Sequence, residues 1–156
     1  MKRLASLLVL IVVAIAIVPS FLGQTQDSNC QIPENYSEAA GENVTSQIRV
    51  FAFLGNDGIW DSDADTISLT FAQMVSIREY YEDARETLPD CAQALNTAYL
   101  RVTTAMTDVL AYNWALQANE NRRNYFIAQT NEAKEKLNEE WATLSDLDNN
   151  SVFETE

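Results

Sequence analysis

Apolar residues recur at every third or fourth position along most of the chain after residue 35, the spacing of one face of an α-helix. Residues 36–54 therefore predict a first helix, although residues 48–53 are rich in strand-forming types and leave a short strand open. Residues 66–88 predict a second helix that Pro89 ends. The first stripe consists of Ala40, Val44, Ile48, Phe51 and Leu54, and the second of Ile67, Phe71, Met74, Ile77, Tyr81, Ala84 and Leu88.

The strongest helical pattern begins after Pro89, whose missing N–H suits the first turn of a third helix. Apolar residues repeat every seven positions there, and the spacing resumes after the polar run 119–124. One long helix over 90–146 would leave its far half nothing to bury, so a hairpin turning near residues 118–121 is favoured. The stripes contain Leu95, Ala98, Tyr99, Val102, Ala105, Met106, Val109, Tyr112 and Leu116, then Phe126, Ala133, Leu137, Trp141 and Leu144.

The first 23 residues have a different pattern. Lys2 and Arg3 precede an apolar run from Leu4 to Val18, and small residues follow, which is typical of a secretory signal. The apolar run is shorter than the roughly 20 residues that span a bilayer. A cleaved signal peptide over residues 1–23 is favoured, with an uncleaved signal anchor as the alternative. Both place the rest of the chain outside the cytoplasm.

Four amphipathic helices with short connections predict an all-α fold, an antiparallel up-down four-helix bundle over residues 30–146. A polar, frayed end is expected from Ser145, with residues 147–156 as a flexible acidic tail. Such a bundle brings Cys30 and Cys91, the two cysteines of the chain, to the same end. In an oxidising compartment they predict a disulfide. Closing this loop of about 60 residues is worth about 4 kcal/mol in the chain-entropy model.

Charge and composition exclude several classes of function. The chain carries 10 basic and 23 acidic residues, and without residues 1–23 the balance is 8 against 23, a net charge of −15. Such a field repels nucleic acids and anionic lipids, so neither is an expected partner, and membrane contact is expected only through an uncleaved N-terminal segment. The chain contains no histidine, which removes the commonest general base and the histidine-based metal sites. No catalytic residue and no cofactor are predicted.

One acidic loop has the composition of a calcium site. Asp61, Asp63 and Asp65 place carboxylates at alternate positions before the second helix, and Asp57 lies four residues earlier in the same loop. The match to a helix-loop-helix calcium motif is poor, because Thr66 stands where that motif needs glycine and Ala72 where it needs glutamate. We therefore favour a solvated loop without a metal, whose last acid helps Thr66 cap the second helix and complements the helix dipole.

Two further sets of residues are candidate sites. The acids among residues 79–86 favour a solvated helix face over a catalytic carboxylate pair. The aromatic residues favour core packing over a ligand pocket, except Trp60, which is expected to fold over one end of the bundle and keeps a binding role open. The acids are Glu79, Glu82, Asp83 and Glu86, and the aromatic residues are Trp60, Trp114, Trp141, Tyr99, Tyr112 and Tyr125.

These patterns favour a non-catalytic binding or structural module of the cell envelope, whose partner is an unknown protein or other envelope component. The first alternative is a membrane-anchored, ligand-sensing ectodomain. It would need a membrane partner, because three residues precede the apolar run. The second, less favoured alternative is a carboxylate-dependent enzyme, which would need a deep pocket lined by acids of raised pKa.

Overall fold

The computed structural model describes residues 32–55 and 58–153 of the 156-residue chain, and in these residues it contains helices and turns but no strand. Residues 48–53 are helical, which removes the alternative of a short strand there. Four long helices are present, as the sequence predicts, together with a short one. The α-helices are α1 (Glu34–Gly55), α2 (Gly58–Asp61), α3 (Ala64–Ala84), α4 (Asp90–Ala118) and α5 (Arg123–Phe153), and a 3₁₀ turn covers Glu120–Arg122.

Prolines mark the starts of α1 and α4. The Tyr36 N–H donates to the carbonyl of Pro33 over 3.0 Å, and the Ala92 N–H donates to the carbonyl of Pro89 over 2.9 Å. Each proline thus stands directly before the first helical residue, where its fixed φ suits the entry of the chain. Asp90 lies in the first turn of α4, where its negative charge complements the positive end of the helix.

Helix α3 corresponds to the predicted second helix, and it ends four residues before the predicted boundary at Leu88. A residue before proline disfavours the helical region, so Leu88 cannot readily continue the helix into Pro89. Residues 85–88 instead form turns, in which the N–H groups of Thr87 and Leu88 both donate to the carbonyl of Ala84. Leu88 is nevertheless buried, so its side chain keeps the core position that the pattern predicts.

A tight turn separates α4 from α5, which confirms the predicted hairpin. Asn119 leaves the helical region with φ of −136°, and its side-chain amide donates to the carbonyl of Ala115 over 3.2 Å. The 3₁₀ turn follows, and α5 starts at Arg123. The last helix then continues to Phe153, beyond the polar end expected from Ser145, and it contains neither glycine nor proline to stop it.

Contacts between helix ends define the bundle. Near the start of α1, Tyr36 contacts Asn96 close to the start of α4, and Asn96 contacts Tyr81 close to the end of α3. At the opposite end, the side-chain amide of Gln117 donates to the carbonyl of Ser62 over 2.9 Å. Consecutive long helices therefore run in opposite directions, and the chain forms the predicted helical bundle.

The predicted stripes supply most of the core, which also contains Val50, Ile59 and Leu110. Most stripe residues are buried, and Phe71, Leu95, Tyr112 and Trp141 pack against the core while remaining partly exposed. A smaller cluster lies at the end of the bundle where α4 begins. It joins α1 to the α3–α4 connection and contains Tyr36, Ala40, Ala84, Leu88 and Ala92, with Ile32 packed against it.

Several predictions fall on the N-terminal region, which lies outside the described residues. These are the signal segment 1–23 and Cys30. Within residues 32–55 and 58–153, no helix has both the length and the apolar character needed to cross a membrane.

Candidate functional site

Four tyrosines form a chain of ring contacts between helices, which we call the tyrosine cluster: Tyr36, Tyr80, Tyr81 and Tyr99. The rings of Tyr36 and Tyr80 are stacked with centroids 5.8 Å apart, and those of Tyr81 and Tyr99 are stacked at 5.6 Å. Tyr80 and Tyr81 meet edge to face at 5.4 Å and so connect the two pairs. The cluster links α1, α3 and α4, because each of these helices contributes at least one ring.

Asn96 provides a polar centre beside these rings and is fully buried. The hydroxyl of Tyr36 donates to Asn96 Oδ1 over 2.9 Å, and Asn96 Nδ2 donates to the carbonyl of Tyr81 over 2.9 Å. The hydroxyl of Tyr80 in turn donates to the carbonyl of Tyr36 over 3.1 Å. A single amide on α4 therefore binds α1 through its oxygen and α3 through its nitrogen.

Gln47 is the second buried amide, 1% exposed, and it reaches from α1 to α4. Its Nε2 donates to the carbonyl of Tyr99 over 3.2 Å and to Oγ1 of Thr103. The Thr103 hydroxyl donates to the same Tyr99 carbonyl over 2.7 Å. Gln47 Oε1, by contrast, has no hydrogen-bond partner among the described residues. It is a buried acceptor that lacks a donor.

A small cavity adjoins this amide. The space open to the centre of a water molecule is about 10 Å³, and the walls come from α1, α4 and α5. Gln47, Tyr99 and Ser145 are the polar residues of its lining, whereas Trp141 and Leu144 are among the apolar ones. The ring of Trp141 also stacks on Phe51 with centroids 4.2 Å apart, which holds α5 against α1.

Electrostatics define what the tyrosine cluster can do chemically. Burial raises the pKa of Tyr36, with a smaller contribution from the neighbouring Tyr80. Burial also raises the pKa of Tyr80, and it raises the pKa of Tyr81 well above its ordinary value. These phenols stay protonated at neutral pH, so they do not act as bases, and those of Tyr36 and Tyr80 are neutral hydrogen-bond donors.

The acidic loop that resembles a calcium site is only partly described. Asp57 lies outside the described residues, and Asp61 is the last residue of α2. Asp63 caps α3, because its Oδ1 accepts the N–H of Thr66 over 2.7 Å, and this hydrogen bond lowers the pKa of the Asp63 carboxyl. Asp65 is exposed in the first turn of α3. The cap is thus Asp63, and not Thr66 assisted by Asp65 as the sequence suggests.

Cys91 is the second residue of α4 and lies on the exposed side of that helix. Its proposed partner, Cys30, lies outside the described residues, so the disulfide stays a prediction. The first described residue, Ile32, packs on the small cluster that contains Ala92.

The acids of residues 79–86 lie exposed on α3 and on the turn that follows it, as the solvated-face interpretation predicts. Arg78 forms an ion pair with Glu82, with Nε and Oε1 3.6 Å apart. In the part of the chain that the structure describes, no group of three or more acidic or cysteine side chains is arranged to hold a metal ion.

The aromatic residues divide into two groups. Trp60 lies in α2 and packs against the core, as expected, and the core interpretation also holds for Tyr99, Tyr112 and Trp141. It is wrong for Trp114 and Tyr125, which are 52% and 55% exposed. Both side chains therefore lie largely in solvent and not in the core.

The amides at the centre of the site are residues that the sequence reasoning missed. Gln47 follows Val44 by three positions, and Asn96 precedes Tyr99 by three, so both lie on the apolar stripes. A polar residue on an apolar stripe was the available signal.

No known protein family, curated protein or solved structure matches this chain.

Proposed function

We propose that this chain is a non-catalytic module of the cell envelope that binds or supports another envelope component outside the cytoplasm. The pattern of residues 1–23 supports the location, because a basic start followed by an apolar run directs a chain across a membrane. The acidic composition supports solubility there.

One observation carries the non-catalytic part of the proposal: the buried polar side chains join helices. Tyr36 and Asn96 use their polar atoms in contacts between α1, α3 and α4. The raised pKa of Tyr36 and Tyr81 keeps their phenols protonated, which leaves them unsuited to accept a proton from a substrate. Glu79 and Glu82, which a carboxylate-dependent enzyme would need in a cleft, lie exposed on α3.

The proposed module includes a disulfide between Cys30 and Cys91. Ile32 packs on the small cluster that contains Ala92, the residue after Cys91, at the end of the bundle where α4 begins. A link there would close the end of the bundle that holds Tyr36 and Asn96.

The N-terminus of the mature protein tests the location. The full chain with a C-terminal tag is expressed in a secreting host, fractionated and sequenced from its N-terminus. We expect the protein in the extracytoplasmic fraction with a first residue between Phe21 and Thr25. Retention of residues 1–23 in a membrane fraction would favour the sensing ectodomain, and an intact chain in the cytoplasm would refute the proposal.

The binding or supporting role is tested separately. Chemical crosslinking in intact cells of the native source, followed by mass spectrometry of the purified protein, should recover a reproducible envelope component. An acidic bundle of similar size secreted by the same route is the control for unspecific crosslinking. Recovery of the same components with both proteins would contradict a specific role.

A further inference from the structure

The amide of Gln47 leaves one hydrogen-bonding position unfilled in the interior of the bundle. Its side chain is 1% exposed, and Oε1 has no partner among the described residues. Buried polar atoms in folded proteins are almost always hydrogen-bonded, either to the protein or to an ordered water molecule. Oε1 therefore requires a donor.

The neighbours of the amide determine its orientation. The carbonyl of Tyr99 only accepts hydrogen bonds, and the single proton of the Thr103 hydroxyl is donated to that same carbonyl. Both groups near Nε2 are thus acceptors. Exchanging the oxygen and nitrogen of Gln47 would place Oε1 against two acceptors, so the atom that lacks a partner is the oxygen.

We propose that the cavity beside Gln47 binds one water molecule. This water donates a hydrogen bond to Gln47 Oε1 and forms a second hydrogen bond with the hydroxyl of Ser145. The cavity offers about 10 Å³ to the centre of a water molecule, which is about the space that one water needs. Buried waters need two or more polar partners, and Gln47 and Ser145 both line the cavity. The volume excludes a larger ligand.

The location of this water gives it a structural consequence. Gln47 lies on α1 and donates its own hydrogen bonds to α4, whereas Ser145 lies on α5. The water therefore joins α1 to α5 through a polar contact, next to the apolar stack of Phe51 on Trp141. Its hydrogen bonds fix the position of the Gln47 amide along the axis of α5.

Water-selective nuclear Overhauser spectroscopy on the full folded protein tests the proposal. In the wild type we expect a cross peak between a long-lived water and the Nε2 protons of Gln47. The Ser145→Ala variant should reduce that peak, because the water loses one of its two partners. The matched control is Thr143→Ala, which removes a hydroxyl that bonds within α5 to the carbonyl of Glu139. It should leave the peak unchanged.

A crystal structure supplies a second measurement, which does not depend on the NMR spectrum of a variant. Electron density for one water about 3 Å from Gln47 Oε1 is expected in the wild type and should be absent in Gln47→Met, which keeps the length of the side chain without its acceptor. A dry cavity in the wild type, or a water that persists unchanged in Gln47→Met, would overturn the proposal.

Discussion

The hydroxyl of Tyr36 donates a 2.9 Å hydrogen bond to Oδ1 of Asn96, a residue 60 positions later in the chain. Asn96 then donates to the carbonyl of Tyr81, so one buried amide holds three helices at one end of the bundle. Both side chains are at least nine-tenths buried, and water cannot readily replace either partner. The pair therefore fixes how α1 lies on α4.

Removing one partner of this pair should destabilise the protein. Tyr36→Phe leaves Asn96 Oδ1 buried without its donor, which costs about 1–3 kcal/mol. The matched control is Tyr81→Phe, because the Tyr81 hydroxyl is buried and has no hydrogen-bond partner among the described residues. We expect that change to be neutral or stabilising. Urea unfolding at pH 7 measures both, and equal losses in the two variants would contradict the assignment.

Stability should fall at alkaline pH. The folded-state pKa of Tyr36 and of Tyr81 lies above the ordinary tyrosine value of 10.0, because both phenols are buried. Their contribution is fully present below about pH 10 and is lost as the pH rises towards the folded-state values, since the unfolded chain ionises first. Urea midpoints should decline from about pH 10 upward. The decline should weaken in the Tyr36→Phe/Tyr81→Phe double variant, and ionisation of every tyrosine near pH 10 in the folded protein would contradict this.

The N-cap of α3 should depend on Asp63 and much less on Asp65. Asp63→Ala removes the acceptor of the Thr66 N–H and should lower the melting temperature, whereas Asp65→Ala leaves that hydrogen bond in place. Because the pKa of Asp63 is lowered by this hydrogen bond, its contribution is present above the unfolded-state value and lost as the pH falls through the folded-state value. Thermal melts at neutral and acidic pH check this, and a larger effect of Asp65→Ala would disprove the assignment.

Calcium should not stabilise the loop around Asp63. The carboxylate of Asp63 is engaged with the Thr66 N–H, and the loop departs from the calcium motif at Thr66 and Ala72. Melting temperatures measured with calcium and with magnesium at constant ionic strength should agree. A rise specific to calcium that disappears in Asp61→Asn/Asp63→Asn would instead establish a structural calcium site.

Non-reducing peptide mapping should recover Cys30 and Cys91 in one linked fragment of the secreted protein. Reduction should then lower the denaturant midpoint, by an amount that corresponds to about 4 kcal/mol or less in the chain-entropy model. The Cys30→Ser/Cys91→Ser variant supplies the reference that reduction should match. Two separately alkylated thiols in secreted material would remove the disulfide from the proposed module.

The sequence alone determined the number and type of the long helices, because the spacing of apolar residues is a local property of the chain. Pro89 marked the entry to α4 for the same reason, since proline restricts its own φ and disfavours a helical conformation in the residue before it. The hairpin near residues 118–121 followed from the polar run and from the need of α5 to bury its stripe against a partner. The sequence predicts the end of α3 four residues too late. Its apolar spacing continues to Leu88, whereas the helical backbone ends at Ala84.

The tertiary structure decided which positions of a stripe are buried and what their polar groups contact. Gln47 and Asn96 lie on stripes whose other members are mostly apolar. Such a stripe does not reveal whether an amide on it has hydrogen-bond partners. That depends on the rotation and height of the neighbouring helices, which bring Tyr99, Thr103 and Tyr36 to these amides across long separations in sequence. Whether a side chain is buried depends on which other residues pack against it. For the same reason, only the tertiary structure shows that Trp114 is exposed on α4.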